Sequence, residues 1–200
     1  MAKDHQTEQR RAAVINAACE VFARFGYQKA SMQDIALTAG VSKSVLFKYF
    51  GTKELLYREV FRMAADGINT ADSEARADIY AMESVFDNMR RTVDARMRLF
   101  SSSPWVYAFS YAAAFDADPF VRALVQEEFA RREIGKVREG AYAGIRGDIT
   151  AVDAQKMIFW ISQGFLEEKR NAGATEPETL KREFLAWIDR MELLLTGRGV

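Results

Sequence analysis

The sequence predicts an all-α protein. Apolar residues recur at helical spacing along nearly all of the 200 residues, and no convincing alternating strand or hairpin turn interrupts them. Each of the three prolines, Pro104, Pro119 and Pro177, stands where a helix is expected to start, next to residues that cap helix N-termini. The hydrophobic content of 49% is sufficient for a packed core.

The first predicted helix has one apolar face and ends at Gly26, with the face formed by Val14, Ile15, Ala18, Cys19, Phe22 and Phe25. Because Cys19 lies on this face, we interpret it as a core residue rather than a reactive thiol. A single cysteine excludes an internal disulfide, and with His5 as the single histidine an ordinary zinc site cannot be assembled. We therefore predict no metal, no cofactor and no catalytic residue.

Two short helices joined by a glycine turn follow at residues 31–50. Ser31 is placed to cap the first, and Gly40 supplies the left-handed backbone that a sharp turn needs. Ser42 is placed to cap the second. The predicted inner faces are Met32, Ile35, Ala36 and Ala39 in the first helix and Val45, Leu46, Tyr49 and Phe50 in the second. This pattern predicts a helix-turn-helix, whose second helix enters the DNA major groove.

The predicted outer face of the second helix is basic, with Lys43, Ser44, Phe47 and Lys48. No acidic residue occurs from Val41 to Thr52, and the amides after Ser42 can meet phosphate. Lys53, after a capping Thr52, is a second possible phosphate contact. Residues 1–62 carry ten Lys/Arg and six Asp/Glu, whereas the remainder carries 18 and 22. These features favour DNA binding over an ordinary helical hairpin.

The same stretch resembles the TetR family of bacterial regulators. The resemblance rests on Gly26-Tyr27, Ala30-Ser31, Ile35-Ala36, Ala39-Gly40-Val41-Ser42, Leu46-Phe47, Tyr49-Phe50 and Thr52-Lys53-Glu54-Leu55-Leu56. It covers roughly Gln9 to Asn69, and the rest of the chain matches only in architecture. We therefore expect a three-helix DNA-binding domain at 9–69 and a helical effector-binding and dimerisation domain at 70–200.

The resemblance implies a role for several of these residues. Ser31 would bind phosphate, Lys43 and Ser44 would reach base edges or nearby phosphates, Tyr49 would touch the DNA backbone, and Lys53 would anchor the start of the fourth helix. These roles add to the N-terminal amides at Ser42.

Two positions of the motif leave alternatives open. Phe47 stands where the family commonly has tyrosine, and it cannot donate a hydrogen bond to phosphate. It either contacts a thymine methyl or packs under the fourth helix, and packing is the favoured alternative. Lys48 either reads guanine or neutralises phosphate.

An aromatic helix is predicted at 104–115, with Trp105, Tyr107, Phe109, Tyr111 and Phe115 and no charged residue. The sequence alone favours a core helix, whereas the family resemblance favours one wall of a ligand cavity, and the two interpretations are compatible. The preceding helix carries an apolar stripe at Ile79, Met82, Phe86, Met89, Val93, Met97 and Phe100. A cavity bounded by the aromatic helix and by Phe86, Met89, Val93 and Met97 would suit a small hydrophobic effector.

Three further helices are predicted at 119 to about 143, 151–171 and 176–196. The last two have apolar stripes broader than one small domain easily covers. We predict that two copies of the chain form a four-helix bundle, although a purely internal core is the alternative. The predicted interface residues are Ile161, Gly164, Phe165, Trp187, Ile188, Met191 and Leu194.

Together these features predict a homodimeric transcriptional regulator, and a repressor in particular, that a small hydrophobic effector releases from a palindromic operator in double-stranded DNA. We expect it in the cytoplasm, because residues 1–11 contain no apolar signal segment and no apolar run is long enough to span a membrane. One alternative is a helical ligand-sequestering protein with a vestigial DNA-binding domain. An enzyme is not supported, because the sequence has no phosphate-binding glycine loop, metal cluster or usable histidine.

Overall fold

The computed structural model describes residues 2–77, 84–131, 139–173 and 176–197. Within these ranges the chain forms helices and no strand, which confirms the all-α prediction. The elements are α1 (Ala2–Lys29), α2 (Met32–Thr38), α3 (Lys43–Phe50), α4 (Lys53–Ala77), α5 (Val85–Ser102), α6 (Pro104–Ala114), α7 (Pro119–Arg131), a 3₁₀ helix (Glu139–Tyr142), α8 (Ala151–Asn171) and α9 (Pro177–Thr196).

Side-chain caps start several of these helices. The Thr150 hydroxyl accepts a hydrogen bond from the Asp153 amide at 3.1 Å, and an Asp118 oxygen accepts one from the Phe120 amide at 2.9 Å. Each bond satisfies a donor that the first helical turn leaves without a partner. Ser103 makes no such bond, so Pro104 begins α6 without a side-chain cap.

Two predicted helices differ from the structure in their bounds. A kink at Gly26, where φ is +70°, interrupts α1, and a further helical turn runs to Lys29. The predicted helix from 119 to 143 is α-helical to Arg131, and Glu139–Tyr142 is 3₁₀ helix instead of its last turn. The first positions of the predicted stripe before α5, Ile79 and Met82, lie outside the described residues, as does Thr175 before α9.

Contacts divide the chain into two compact units, the first formed by Met1–Gly67 with Ser103–Arg132. Here α6 packs on α1, and the rings of Phe22, Tyr57 and Phe109 meet with centroids 4.8 to 6.4 Å apart. Cys19 is buried, and its thiol donates a hydrogen bond to the Trp105 carbonyl at 3.2 Å. Burial raises the pKa of Cys19 to about 12, as expected of a core residue. Phe25, predicted on the same buried face, is half exposed instead.

The second unit comprises Ile68–Ser102 with Glu133–Val200. Its core joins α5, α8 and α9 through Phe86, Ile158, Ile188, Met191 and Leu195. Ion pairs also join two of these helices, since Arg90 on α5 bonds Asp189 and Glu192 on α9. The domain bounds predicted from the sequence, 9–69 and 70–200, place α6 and α7 in the second domain and stay a prediction; the contacts group both helices with the N-terminal residues.

Candidate nucleic-acid interface

Local hydrogen bonds fix the turn between α2 and α3. The Ser31 hydroxyl accepts from the Asp34 amide at 3.1 Å, and the Ser42 hydroxyl accepts from the Val45 amide at 3.3 Å, so both predicted caps are in place. Gly40 has φ +66°, a conformation that side chains disfavour. Ile35, Ala36 and Leu46 are completely or almost completely buried where the two helices cross. The motif is therefore built as the sequence predicts.

The outer face of α3 presents Lys43, Ser44, Phe47 and Lys48 to solvent. Lys43 Nζ lies 5.8 Å from the centroid of the Phe47 ring. With the residues that the structure describes, neither lysine forms an ion pair. Phe47 is 42% exposed, so the preferred interpretation that it packs under α4 is wrong. Its ring instead lies beside the Lys43 ammonium, on the surface where the sequence places DNA.

The other predicted contacts are more constrained. The Ser31 hydroxyl caps α2 and also donates to the Asp34 carboxylate at 2.6 Å. The hydroxyl that was expected to bind phosphate is therefore already engaged within the chain. Ser42 is exposed, and its hydroxyl shares a hydrogen bond with that of Ser44 at 2.9 Å. Tyr49 is half-buried next to the Phe50 ring. These positions remain candidates for DNA contact through their amides and outer edges.

Lys53 begins α4 and points back to the end of α1. Its ammonium donates to the carbonyls of Tyr27 at 2.9 Å, Ala30 at 3.2 Å and Gln28 at 3.3 Å. Since an ammonium has three hydrogens, these bonds account for all of them. The side chain thus anchors the start of α4, as the resemblance implies, and it is not disposed as the phosphate contact that its position after Thr52 suggests.

The residues predicted at the dimer interface fall into two groups. Ile188, Met191 and Phe165 are buried within this chain, so a partner cannot reach them. Ile161 is half-buried, while Gly164, Trp187 and Leu194 are exposed. Met157, Trp160 and Leu193, which the sequence interpretation did not include in the interface, are also exposed. Helical spacing carries the necessary information, because Met157, Trp160 and Gly164 follow one another at intervals of three and four residues.

The residues predicted to bind a ligand are likewise separated by their contacts. Phe86 belongs to the core of the second unit, and Met89 and Val93 pack against that core. Met97 instead lines a groove of about 600 Å³. The other residues of this groove are Asp94, Arg98, Ser101, Ser102, Glu178 and Lys181. Phe109 is buried against α1, and Trp105 is partly exposed beneath the Arg24 guanidinium.

The remaining aromatic residues of the predicted helix form a ladder, with Tyr107 and Tyr111 on α6 and Phe115 at its C-cap. Tyr107 and Tyr111 lie 5.9 Å apart between ring centroids, and Tyr111 and Phe115 lie 5.2 Å apart. Burial raises the pKa of Tyr107 to about 12. The ladder is therefore a partly desolvated aromatic surface that also carries two phenolic hydroxyls.

Two structural features bear on other functions. No helix among the described residues is long and apolar enough to cross a membrane. The described residues also contain no group of three or more metal-ligating side chains.

Known proteins match the chain in two ways. Residues 14–60 match the family model described as bacterial regulatory proteins, tetR family. The transcriptional activator FasR of Mycolicibacterium smegmatis is 36% identical over 92 residues, which are 46% of this chain and 36% of FasR. The regulator RutR of Escherichia coli K12 is 43% identical over 54 residues, 27% of this chain and 26% of RutR. The matches thus span only about a third or less of these relatives.

The fold is shared over a greater length. The structure of FadR from Bacillus subtilis in complex with stearoyl-CoA aligns with 94% of this chain and all of that one, at a TM-score of 0.68 and 18% identity. Such identity shows the fold alone, while the helix-turn-helix and the family model identify its N-terminal part. Residues 14–60 of the chain are therefore similar to the tetR family of bacterial regulatory proteins.

Proposed function

We propose that this protein is a sequence-specific DNA-binding transcriptional regulator with α3 as its recognition helix. The exposed face of α3 carries this proposal, because it combines Lys43 and Lys48 with Ser44 and Phe47 and has no acidic residue. Lysines there supply attraction to phosphate or guanine, and the Phe47 ring can meet a thymine methyl. FasR, RutR and FadR are all described as regulators, and FasR as an activator.

The proposed DNA-bound form is a homodimer on a palindromic operator. Exposed apolar side chains on α8 and α9, chiefly Trp160, Trp187 and Leu194, offer the surface for a four-helix bundle between two copies. Two recognition helices related by a two-fold axis would enter successive major grooves, ~34–36 Å apart. The regulator would act in the cytoplasm, where its operator is.

The proposed effector is a hydrophobic, acyl-type molecule that releases the operator, so that the protein represses transcription without it. The aromatic ladder of α6, Tyr107, Tyr111 and Phe115, supports this class, because its surface is apolar with hydroxyls as polar points. FadR of Bacillus subtilis, which shares the fold, was crystallised with stearoyl-CoA. A promoter fusion measured with and without the protein would separate repression from activation.

Selection of bound fragments from a random DNA pool tests DNA binding and should return a palindrome. Lys43→Ala and Lys48→Ala should then weaken binding with normal helicity. A lysine that contacts only phosphate should lower the salt slope by about one, and one that reads a base should cost ~1–3 kcal/mol at one position. Lys156→Ala removes an exposed lysine of α8 and should leave binding unchanged. Wild-type affinity in both α3 variants would refute the assignment of this face.

A further inference from the structure

The segment Gly26–Ala30 leads from α1 into the helix-turn-helix. It begins at the Gly26 kink, where φ is +70°, and ends immediately before Ser31, the N-cap of α2. Any rotation of this short segment therefore changes the direction in which α2, and α3 after it, leave the rest of the first unit. Two different parts of the chain hold its polar groups.

The first set of contacts comes from Lys53 at the start of α4. Its ammonium bonds three carbonyls of the segment and lies 4.6 Å from the centroid of the Tyr27 ring. Tyr57, one turn later on α4, places its buried ring 5.1 Å from that of Tyr27. The start of α4 and the segment thus share both polar and aromatic contacts.

The second set of contacts comes from the corner between α6 and α7. Asp118 is buried there, and its two carboxylate oxygens have different partners. Oδ1 accepts from the Phe120 amide at the start of α7, while Oδ2 accepts from the Gln28 side-chain amide. The bond from Gln28 is the main reason why the pKa of Asp118 lies below its ordinary value. One carboxylate therefore joins the start of α7 to the segment before the helix-turn-helix.

Neighbouring contacts reinforce this junction. The Phe120 ring lies 4.9 Å from the Tyr27 ring and 5.9 Å from the Tyr57 ring, measured between centroids. Asp116 Oδ1 accepts from the Asp118 amide at 2.8 Å, which fixes the backbone of the corner. The corner directly follows α6, which carries the aromatic ladder.

We propose that Asp118 is a positioning residue for DNA binding: through Gln28 it ties the segment Gly26–Ala30 to the α6–α7 corner and so sets the orientation of α2 and α3. This inference rests on the proposed function. It connects α6 to the recognition helix through the α6–α7 corner and the segment Gly26–Ala30. A displacement of α6 would move the corner, and the carboxylate would transmit that movement to Gln28.

An exchange of donor and acceptor tests the link. Gln28→Glu places two carboxylates against each other and should separate the segment from the corner. We expect at least a tenfold loss of affinity for the selected operator. Combining Gln28→Glu with Asp118→Asn lets the new amide at position 118 donate to the new carboxylate at position 28, and it restores the wild-type net charge. We expect the double variant to recover operator affinity to within threefold of wild type.

The double variant retains the carboxylate at position 28. Recovery of affinity would therefore show that repulsion between this carboxylate and the DNA phosphates does not cause the loss in Gln28→Glu. Failure to recover affinity, or wild-type affinity in Gln28→Glu alone, would overturn the inference. Circular dichroism establishes whether each variant is folded. If Gln28→Glu is not folded, Gln28→Ala replaces it. Operator affinity of Gln28→Ala within twofold of wild type would then refute the link. A wild-type protein that selects no DNA refutes the proposed function instead, so the two failures are distinguishable.

Discussion

Leu194→Glu tests the proposed dimer without disturbing the core of the chain. Leu194 is 62% exposed on α9, whereas Met191, three residues earlier, is completely buried in the second unit. The substitution therefore changes a side chain that only a partner could cover. It should convert the dimer into folded monomers that retain normal helicity.

The expected magnitude follows from the area that remains exposed. Burying a whole leucine side chain contributes about 1.5–3 kcal/mol, so the 62% still exposed corresponds to roughly 1–2 kcal/mol. A two-fold interface uses each residue twice, which gives about 2–4 kcal/mol per dimer. At about 1.4 kcal/mol per tenfold change, the dimer Kd should rise roughly 30- to 700-fold. Desolvation of the two new carboxylates adds to this loss.

Sedimentation equilibrium over a range of protein concentrations measures the dimer Kd directly. Leu37→Glu is a matched control, because Leu37 is 77% exposed on α2 and undergoes the same chemical change away from the proposed interface. The control should keep the wild-type Kd. An unchanged Kd in Leu194→Glu, or a wild type that is monomeric at every concentration, would refute the reasoning.

Two further predictions concern the effector and the motif turn. Titration with stearoyl-CoA should raise Tm and release the operator over one concentration range, whereas Tyr111→Ala should bind operator without responding. Release by polar metabolites that lack an acyl chain, such as free coenzyme A, but not by stearoyl-CoA would contradict the proposed class. Gly40→Ala should destabilise the fold by about 1–2 kcal/mol in urea unfolding, because its φ is +66° and no atom lies within 4 Å of the added methyl. Gly147→Ala is the control, because a methyl group added there also meets no atom within 4 Å but the φ of Gly147 is not in the left-handed range. It should change the free energy of unfolding by less than about 0.5 kcal/mol. Equal effects at the two glycines would exclude backbone strain as the cause of the loss at Gly40.

The elements that the sequence predicts best are those fixed by neighbouring residues. Ser31, Gly40 and Ser42 each act on the backbone within a few residues, and all three occupy the predicted cap or turn positions. The bounds of α8 and α9 follow for the same reason, from local capping residues and apolar spacing. Such information is contained in short stretches of sequence, so no knowledge of tertiary structure is needed.

Long-range contacts decide what the sequence could not. Lys53 was open to two partners, phosphate or protein, and its flexible stem reaches carbonyls 23 to 26 residues earlier in the chain. The pairing of Gln28 with Asp118 spans 90 residues and involves residue types common on any surface. Periodicity likewise placed Phe25 on a buried face but could not show that no element covers that position within the first unit.

The predicted dimer residues show where periodicity alone becomes ambiguous. Trp187 and Ile188 are consecutive, so their side chains diverge by about 100° around α9. Ile188 is completely buried in this chain and Trp187 is partly exposed, which assigns the two residues to different surfaces of one helix. The sequence predicts apolar stripes broader than one small domain easily covers, and part of the α9 stripe is exposed in the structure, but periodicity could not show which part. The division selects Trp187 and Leu194, rather than Ile188 and Met191, as the α9 positions where a second copy would bind.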